Sequence, residues 1–303
     1  MDFLTTLING LSLGGVYAMI ALGYTMVYGI AKLLNFAHGD VIMVGGYSLF
    51  IFISVQMPAF MPDGLSAALT LTLAVLLSVV VCILLGVTVE RVAYRPLRGA
   101  SPLAVLITAI GVSYLLQSLA LILFGANSRF VELAPGLGVV HLGALKIKVS
   151  TIITLAASLV IMTALSLFVK FTRMGRAMVA VSEDRDAARL MGININRIIT
   201  VTFAIGSALA ALAGLFKLLD VPYIEPTFGS MPGIKAFTAA VIGGIGSIPG
   251  AMIGGLLLGV VENICNSIPQ ISPYTDAIEF AILIIILLVK PTGILGKKRR
   301  EKV

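Results

Sequence analysis

Apolar stretches of 18 or more residues recur along this chain from one end to the other. Each is long enough to cross a hydrocarbon layer of about 30 Å. No water is available in that layer, so a spanning segment must satisfy its own backbone hydrogen bonds, as a helix does. The alternative is a closed barrel, built from short segments of alternating polarity. The run AILIIILLV at 281–289 does not alternate. The 303 residues are 59% hydrophobic and only 12% charged, where a soluble domain carries roughly 25% charged residues. The expected fold class is all-α: a polytopic transmembrane helical bundle with broken or re-entrant helices, forming one domain over 1–303.

About eight hydrophobic segments are expected, at 3–30, 41–57, 67–89, 102–124, 150–169, 198–219, 234–261 and 277–289. Pro58, Pro62, Asp63 and Gly64 mark a loop, and Pro135 sits in a polar connection over 125–149. The sixth segment carries Gly206, Ala210, Ala213 and Gly214, which suit close helix contact. The N-terminus has Asp2 and no basic region, so the first segment is expected to remain as the first helix rather than be cleaved.

The net charge is +7. Its distribution argues against a nucleic-acid partner. Of 21 Lys and Arg, three lie at 91–98, six at 170–197 and six at 290–302, all beside apolar segments. That clustering is what the positive-inside bias produces. If all three stretches are cytoplasmic, the C-terminus is inside and 234–290 must cross an odd number of times. The segment 234–261 is then broken: it re-enters, or it forms two pieces around Ser247, Ile248, Pro249 and Gly250. Counting backwards puts the N-terminus outside.

Four features bear on chemistry. Asn35, His38 and Asp40 fall between two apolar segments. Ionisable groups inside a membrane mark function by default, but spacing alone favours a solvated turn in which His38 and Asp40 cap the next helix. The run Gly243, Gly244, Gly246, Ser247 and Gly250 breaks a helix. Its free amides are suited to a substrate carboxylate, and its small residues are equally suited to packing. It lacks the Lys and Ser or Thr of a phosphate loop. A faint echo links FAHGDVIMVGG at 36–46 to FTAAVIGG at 237–244. In the charged stretch 170–197, a short helix over 184–191 is expected, capped by Ser182 and stopped by Gly192. Ala187, Leu190 and Met191 fall on one side and Arg185 and Arg189 on the other, which suits docking of a soluble partner. Glu262, Asp276 and Glu279 lie in or beside late apolar segments, where a proton relay would place acids, although helix ends account for them too. Cys82 and Cys265 are read as packing residues, and the two histidines, His38 and His141, complete no catalytic or metal-ligand grouping.

Asp186, Ala187, Ala188 and Gly192 resemble the E-A-A-x-x-x-G loop of bacterial ABC importer permeases, with Asp in place of Glu. With Gly10 to Gly23 (GLSLGGVYAMIALG), LNFAHGD at 34–40 and the glycine run at 243–250, the chain resembles the shorter permease subunit of the branched-chain amino acid importers over essentially its whole length. The resemblance implies a heterodimer with a second homologous permease, two ATPase subunits, a periplasmic substrate-binding protein and a bacterial inner-membrane location. It implies no cofactor and no enzymatic activity on this chain. Glu183, Asp186, Ala187, Ala188 and Gly192 would couple to the ATPase. Asn35, His38, Asp40 and the glycine run would line the substrate pathway. Related permeases for urea and short amides share much of the N-F-A-H-G pattern, and an ion-coupled transporter is the rival class.

Overall fold

The computed structural model describes residues 3–56, 67–134, 138–142 and 145–296. The loop around Pro58 to Gly64, Pro135 and the basic tail from Lys297 lie outside the described residues. In chain order the helices are α1 (Phe3–Ala31), α2 (His38–Phe50), α3 (Ala67–Val89), α4 (Pro102–Phe124), α5 (Val149–Phe171), α6 (Arg173–Glu183), α7 (Arg185–Leu190), α8 (Ile195–Asp220), α9 (Ser230–Gly243), α10 (Ile248–Ser267) and α11 (Thr275–Val289). Wider π-helical turns continue α2 over Ile51–Gln56 and α3 over Glu90–Tyr94. Among the described residues, four short strands complete the elements: β1 (Arg129–Phe130), β2 (Val139–Leu142), β3 (Leu145–Lys148) and β4 (Tyr223–Ile224). Seven of the helices are long and apolar enough to span a membrane, and an eighth, shorter apolar stretch covers His38–Ser54. The helical membrane fold is as the sequence predicts.

Local chemistry sets the ends of these helices. Ser101 caps α4, its hydroxyl accepting from Ala104 N at 3.3 Å, and Pro102 opens the helix. Gly125 ends it with φ +80°, a left-handed conformation that glycine adopts at no steric cost. The expected break in 234–261 is present. The chain forms two helices, α9 and α10, separated at 244–247, with Ser247 capping α10 and Pro249 in its first turn. At 1.5 Å per residue, the 14 residues of α9 extend about 21 Å, short of a full hydrocarbon crossing. The echo between 36–46 and 237–244 does not mark matched helices, for the first stretch opens α2 and the second closes α9.

The chain packs as two compact units interleaved in sequence. One comprises 1–32, 139–195 and 235–303, and the other 33–138 and 196–234. In the first unit α1 lies against α5 and α10. The α1–α10 seam is made of small residues: a Cβ on Gly14 would stand 2.7 Å from Leu256 Cα. This is dispersion-driven close packing, which apolar helices use when lipid removes the hydrophobic incentive to associate. β2 and β3 form an antiparallel hairpin, Val139 opposite Lys148.

In the second unit α2 is held between α3 and α8. Ser78 Oγ donates to Gly45 O at 2.9 Å. A Cβ on Gly214 would approach Ile42 O to 2.9 Å. The small residues predicted in the sixth segment, Gly206, Ala210, Ala213 and Gly214, are all buried. Cys82, free and buried, faces Val41, and Cys265, in the first unit, is likewise free and buried. β1 pairs antiparallel with β4, Arg129 opposite Ile224.

Candidate functional site

The chain leaves α1 at Ala31, passes through an irregular stretch, and re-enters helix at His38. Asn35, His38 and Asp40 on this bend are all buried. The solvated-turn expectation is therefore corrected: the bend is enclosed by protein. Tyr94, on the π-helical turn that ends α3, donates its hydroxyl to Asn35 Oδ1 at 2.7 Å. Gln117 of α4 donates to Asp40 Oδ1 at 2.9 Å and lies 3.2 Å from Ser113 Oγ and 3.3 Å from Ser230 Oγ. Gly39 touches the backbone before α9, where a Cβ would stand 2.7 Å from Gly229 O. Irregular backbone at membrane depth persists only inside protein or beside a water-filled cavity. Tyr94, Gln117 and the close approach at Gly39 help to fasten the bend.

A second polar group flanks it in the same unit. Glu90, fully buried, pairs with Arg98 and accepts from Thr200 Oγ1 at 2.8 Å. Arg98 also donates to Asn196 Oδ1. Glu90 and Tyr94 stand on the same π-helical turn, closed by Arg95 N donating to Glu90 O at 2.7 Å. π-helical turns of this kind are frequent at functional sites.

In the other unit, α6 and α7 form the charged arm. Thr172 caps α6, accepting from Gly175 N at 3.0 Å. The short helix predicted over 184–191 is present as α7, but Ser182 does not cap it. Ser182 lies in α6 and donates back to Val179 O at 2.7 Å. The cap is Asp184, whose Oδ1 accepts from Asp186 N and Ala187 N, each at 3.0 Å. An ionised cap at a helix N-terminus is favoured over a hydroxyl by the helix dipole. Gly192 stops α7 as expected, at φ +80°, with Ile193 N returning to Ala188 O at 3.0 Å.

On α7 the apolar residues face outward, on a different side from Arg185, as the sequence suggests. Leu190 is 89% and Met191 82% exposed, Ala187 and Asp186 are exposed, and Ala188 is buried. Glu183, at the end of α6, is exposed as well. Arg185 turns inward instead and donates to the carbonyls of Ile30, at 3.0 Å, and Ala31. It satisfies orphan carbonyls at the C-terminus of α1, where a cation is also favoured by the dipole. One signal pointed to this. A basic residue opening a helix is misplaced with respect to that helix's own dipole, so its charge belongs to another element.

The glycine run lies at the α9–α10 break. Gly243 and Gly250 meet backbone to backbone. Gly244 and Gly246 have φ of +107° and +95°. Ser247 Oγ takes the Gly250 amide at 3.2 Å. The carbonyls of Ile242 and Gly243 accept from Ile294 and Leu295 at 2.8 and 2.9 Å. The segment after α11 thus takes up the last carbonyls of α9, and the glycines let the two helices of the break pack closely. Lys235, which sequence reasoning passed over, lies among Glu262, Asp276 and Glu279.

The family model for branched-chain amino acid transport system permease components matches residues 6–287. The high-affinity branched-chain amino acid transport system permease protein BraD of Pseudomonas aeruginosa is 45% identical over 99% of this chain and 98% of its own length. The corresponding permease LivH of Escherichia coli K12 is 46% identical over the same shares. The ribose import permease RbsC of Escherichia coli K12 is 32% identical over 39% of each chain.

Proposed function

The chain belongs to the family of branched-chain amino acid transport system permease components, and from that premise we propose that it is the membrane subunit through which an ATP-driven importer passes leucine, isoleucine and valine into the cytoplasm. It is a permease rather than an enzyme, and ATP hydrolysis resides on two separate subunits. A second, homologous permease pairs with it, and a soluble binding protein delivers the amino acid from outside. The two interleaved units act as one permease domain.

The observation that carries the energy-coupling half of this reading is the geometry of α7. It offers Leu190 and Met191 outward as an apolar tip, flanked by Asp186 and Glu183, while Arg185 fastens its inner side to the end of α1. An exposed apolar tip on a rigid short helix fits a groove on a soluble partner. Because Arg185 ties α7 to α1, displacement of α7 by an ATPase is transmitted to a membrane-spanning helix. This arm is cytoplasmic, as is the C-terminus, and the N-terminus is outside.

The pathway is proposed at the Asn35–His38–Asp40 bend. Its polar atoms are few and fixed, as an aliphatic substrate with a zwitterionic head requires. Transport itself is alternating access, with the permease subunits rocking as the ATPases close. Uptake of leucine into vesicles bearing the purified complex, with and without ATP, tests the reading: uptake is expected only with ATP and the loaded binding protein.

A further inference from the structure

The π-helical turn that ends α3 carries both Glu90 and Tyr94. Both side chains are buried, and both reach α8. Thr200 of α8 donates to Glu90 Oε2 at 2.8 Å. Tyr94 packs against Phe203, in the next turn of α8, with ring centroids 5.5 Å apart. Arg98 closes the junction: it pairs with Glu90 Oε1 and donates to Asn196 Oδ1 in the first turn of α8. Tyr94 also donates to Asn35 Oδ1 at 2.7 Å. All of these residues lie in one unit.

Stability alone does not account for the junction. A buried ion pair is commonly no more stabilising than apolar residues of similar size. Glu90 gives one oxygen to Arg98, in the loop after its own helix, and the other to Thr200, on a different helix. The Thr200 hydroxyl also lies 3.0 Å from Asn196 O in its own helix. A helical threonine satisfies its single proton on such a carbonyl, so the hydroxyl does not need Glu90. What the contact with Glu90 adds is a join between α3 and α8. The aromatic contact one turn on makes a second join, at the residue that holds Asn35.

α8 is also next in the chain to the coupling arm, with only residues 191–194 between α7 and α8. A displacement of the arm therefore acts on the first turn of α8, where Asn196 and Thr200 stand.

We propose that Glu90 is a positioning residue for transport: with Arg98 and Thr200 it fixes the π-helical turn to the start of α8, so that movement of α8 carries Tyr94 and, through it, Asn35 of the bend. This deepens the importer reading above and rests on it. It gives the coupling arm a route to the proposed pathway that does not pass through Arg185 and α1. Glu90 acts through Tyr94 and does not itself meet the amino acid.

The test uses the permease pair and ATPase subunits in proteoliposomes, with leucine-loaded binding protein, and measures leucine uptake and ATP hydrolysis on the same vesicles. Glu90→Gln presents one acceptor oxygen where the carboxylate presents two, so one of its two partners is lost. It is expected to lower uptake per ATP roughly tenfold, the scale of one charge-assisted hydrogen bond, while hydrolysis stimulated by the binding protein persists. Thr200→Val, which keeps the side-chain shape and removes the hydroxyl, lowers uptake per ATP by a few fold at an unchanged melting temperature. Thr200→Ser, which keeps the hydroxyl, retains the wild-type ratio. Should Glu90→Gln fail to assemble, the Thr200 pair decides. Because Glu90 acts through Tyr94, Glu90→Gln (or Thr200→Val in its place) adds little to the loss already caused by Tyr94→Phe. An unchanged ratio in folded Thr200→Val overturns the proposal. So does a loss of uptake and hydrolysis in equal proportion, or a full additional loss in the Tyr94→Phe background. The importer reading fails by a separate result, namely absence of ATP-driven leucine uptake by the wild-type complex.

Discussion

The guanidinium of Arg185 donates to the carbonyl of Ile30 at 3.0 Å, joining the first residue of α7 to the last turn of α1. Charge-assisted hydrogen bonds of this kind contribute about 1.5–3 kcal/mol each. Arg185→Ala is expected to leave the complex assembled, while ATP-driven uptake falls by about tenfold, a coupling loss on the scale of one such bond. Size-exclusion chromatography and vesicle uptake measured on one preparation check both halves. Full uptake by the variant would detach α1 from the coupling route.

Gly192 holds φ at +80° just past α7. A side chain there costs about 1–2 kcal/mol, and proline, locked near −65°, cannot adopt the conformation. Gly192→Ala should lower uptake moderately, and Gly192→Pro should abolish it while the helices of the membrane region still assemble. Asp186→Lys places a cation in the first turn of α7, opposes its dipole, and is expected to impair ATPase coupling similarly. Nucleotide hydrolysis stimulated by the loaded binding protein is the readout.

Tyr94→Phe removes the hydroxyl that donates to the buried Asn35 Oδ1. Leaving that oxygen without a donor costs about 1–3 kcal/mol. If the bend lines the pathway, Tyr94→Phe and His38→Ala change the KM or maximal rate of uptake. Kinetics identical to wild type in both would leave the bend as a structural turn.

Gly243 and Gly250 pack backbone against backbone at the α9–α10 break. Gly243→Ala forces the two helices apart, and overpacking of this kind costs about 1–3 kcal/mol or more. The expected result is a lower melting temperature and lower yield of the complex, without a selective change in substrate kinetics.

Much of the helical frame was legible because membrane-spanning length and apolarity are local properties. The segments 67–89 and 102–124 coincide with α3 and α4, and a count of crossings called for a break in 234–261 that the glycines and proline around Ser247 placed. Long-range partners were not legible. Nothing near Asn35 in sequence indicates that Tyr94, 59 residues away, would close over it. Lys235 passed as an isolated lysine because its acids lie 27 to 44 residues further on. The cap of α7 moved from Ser182 to Asp184 because α6 extends through Glu183 and absorbs the serine. The outward turn of Leu190 and Met191 ran against the usual rule that apolar faces are buried. Such a violation is expected where a surface is kept for a partner.

The central claim is that this permease moves branched-chain amino acids at the expense of ATP hydrolysed on a partner. Its most direct test is uptake of labelled leucine into proteoliposomes holding the purified permease pair and ATPase subunits, with leucine-loaded binding protein outside. The account predicts uptake that requires ATP and is indifferent to an imposed proton or sodium gradient. Uptake that proceeds without nucleotide and follows an ion gradient would contradict it.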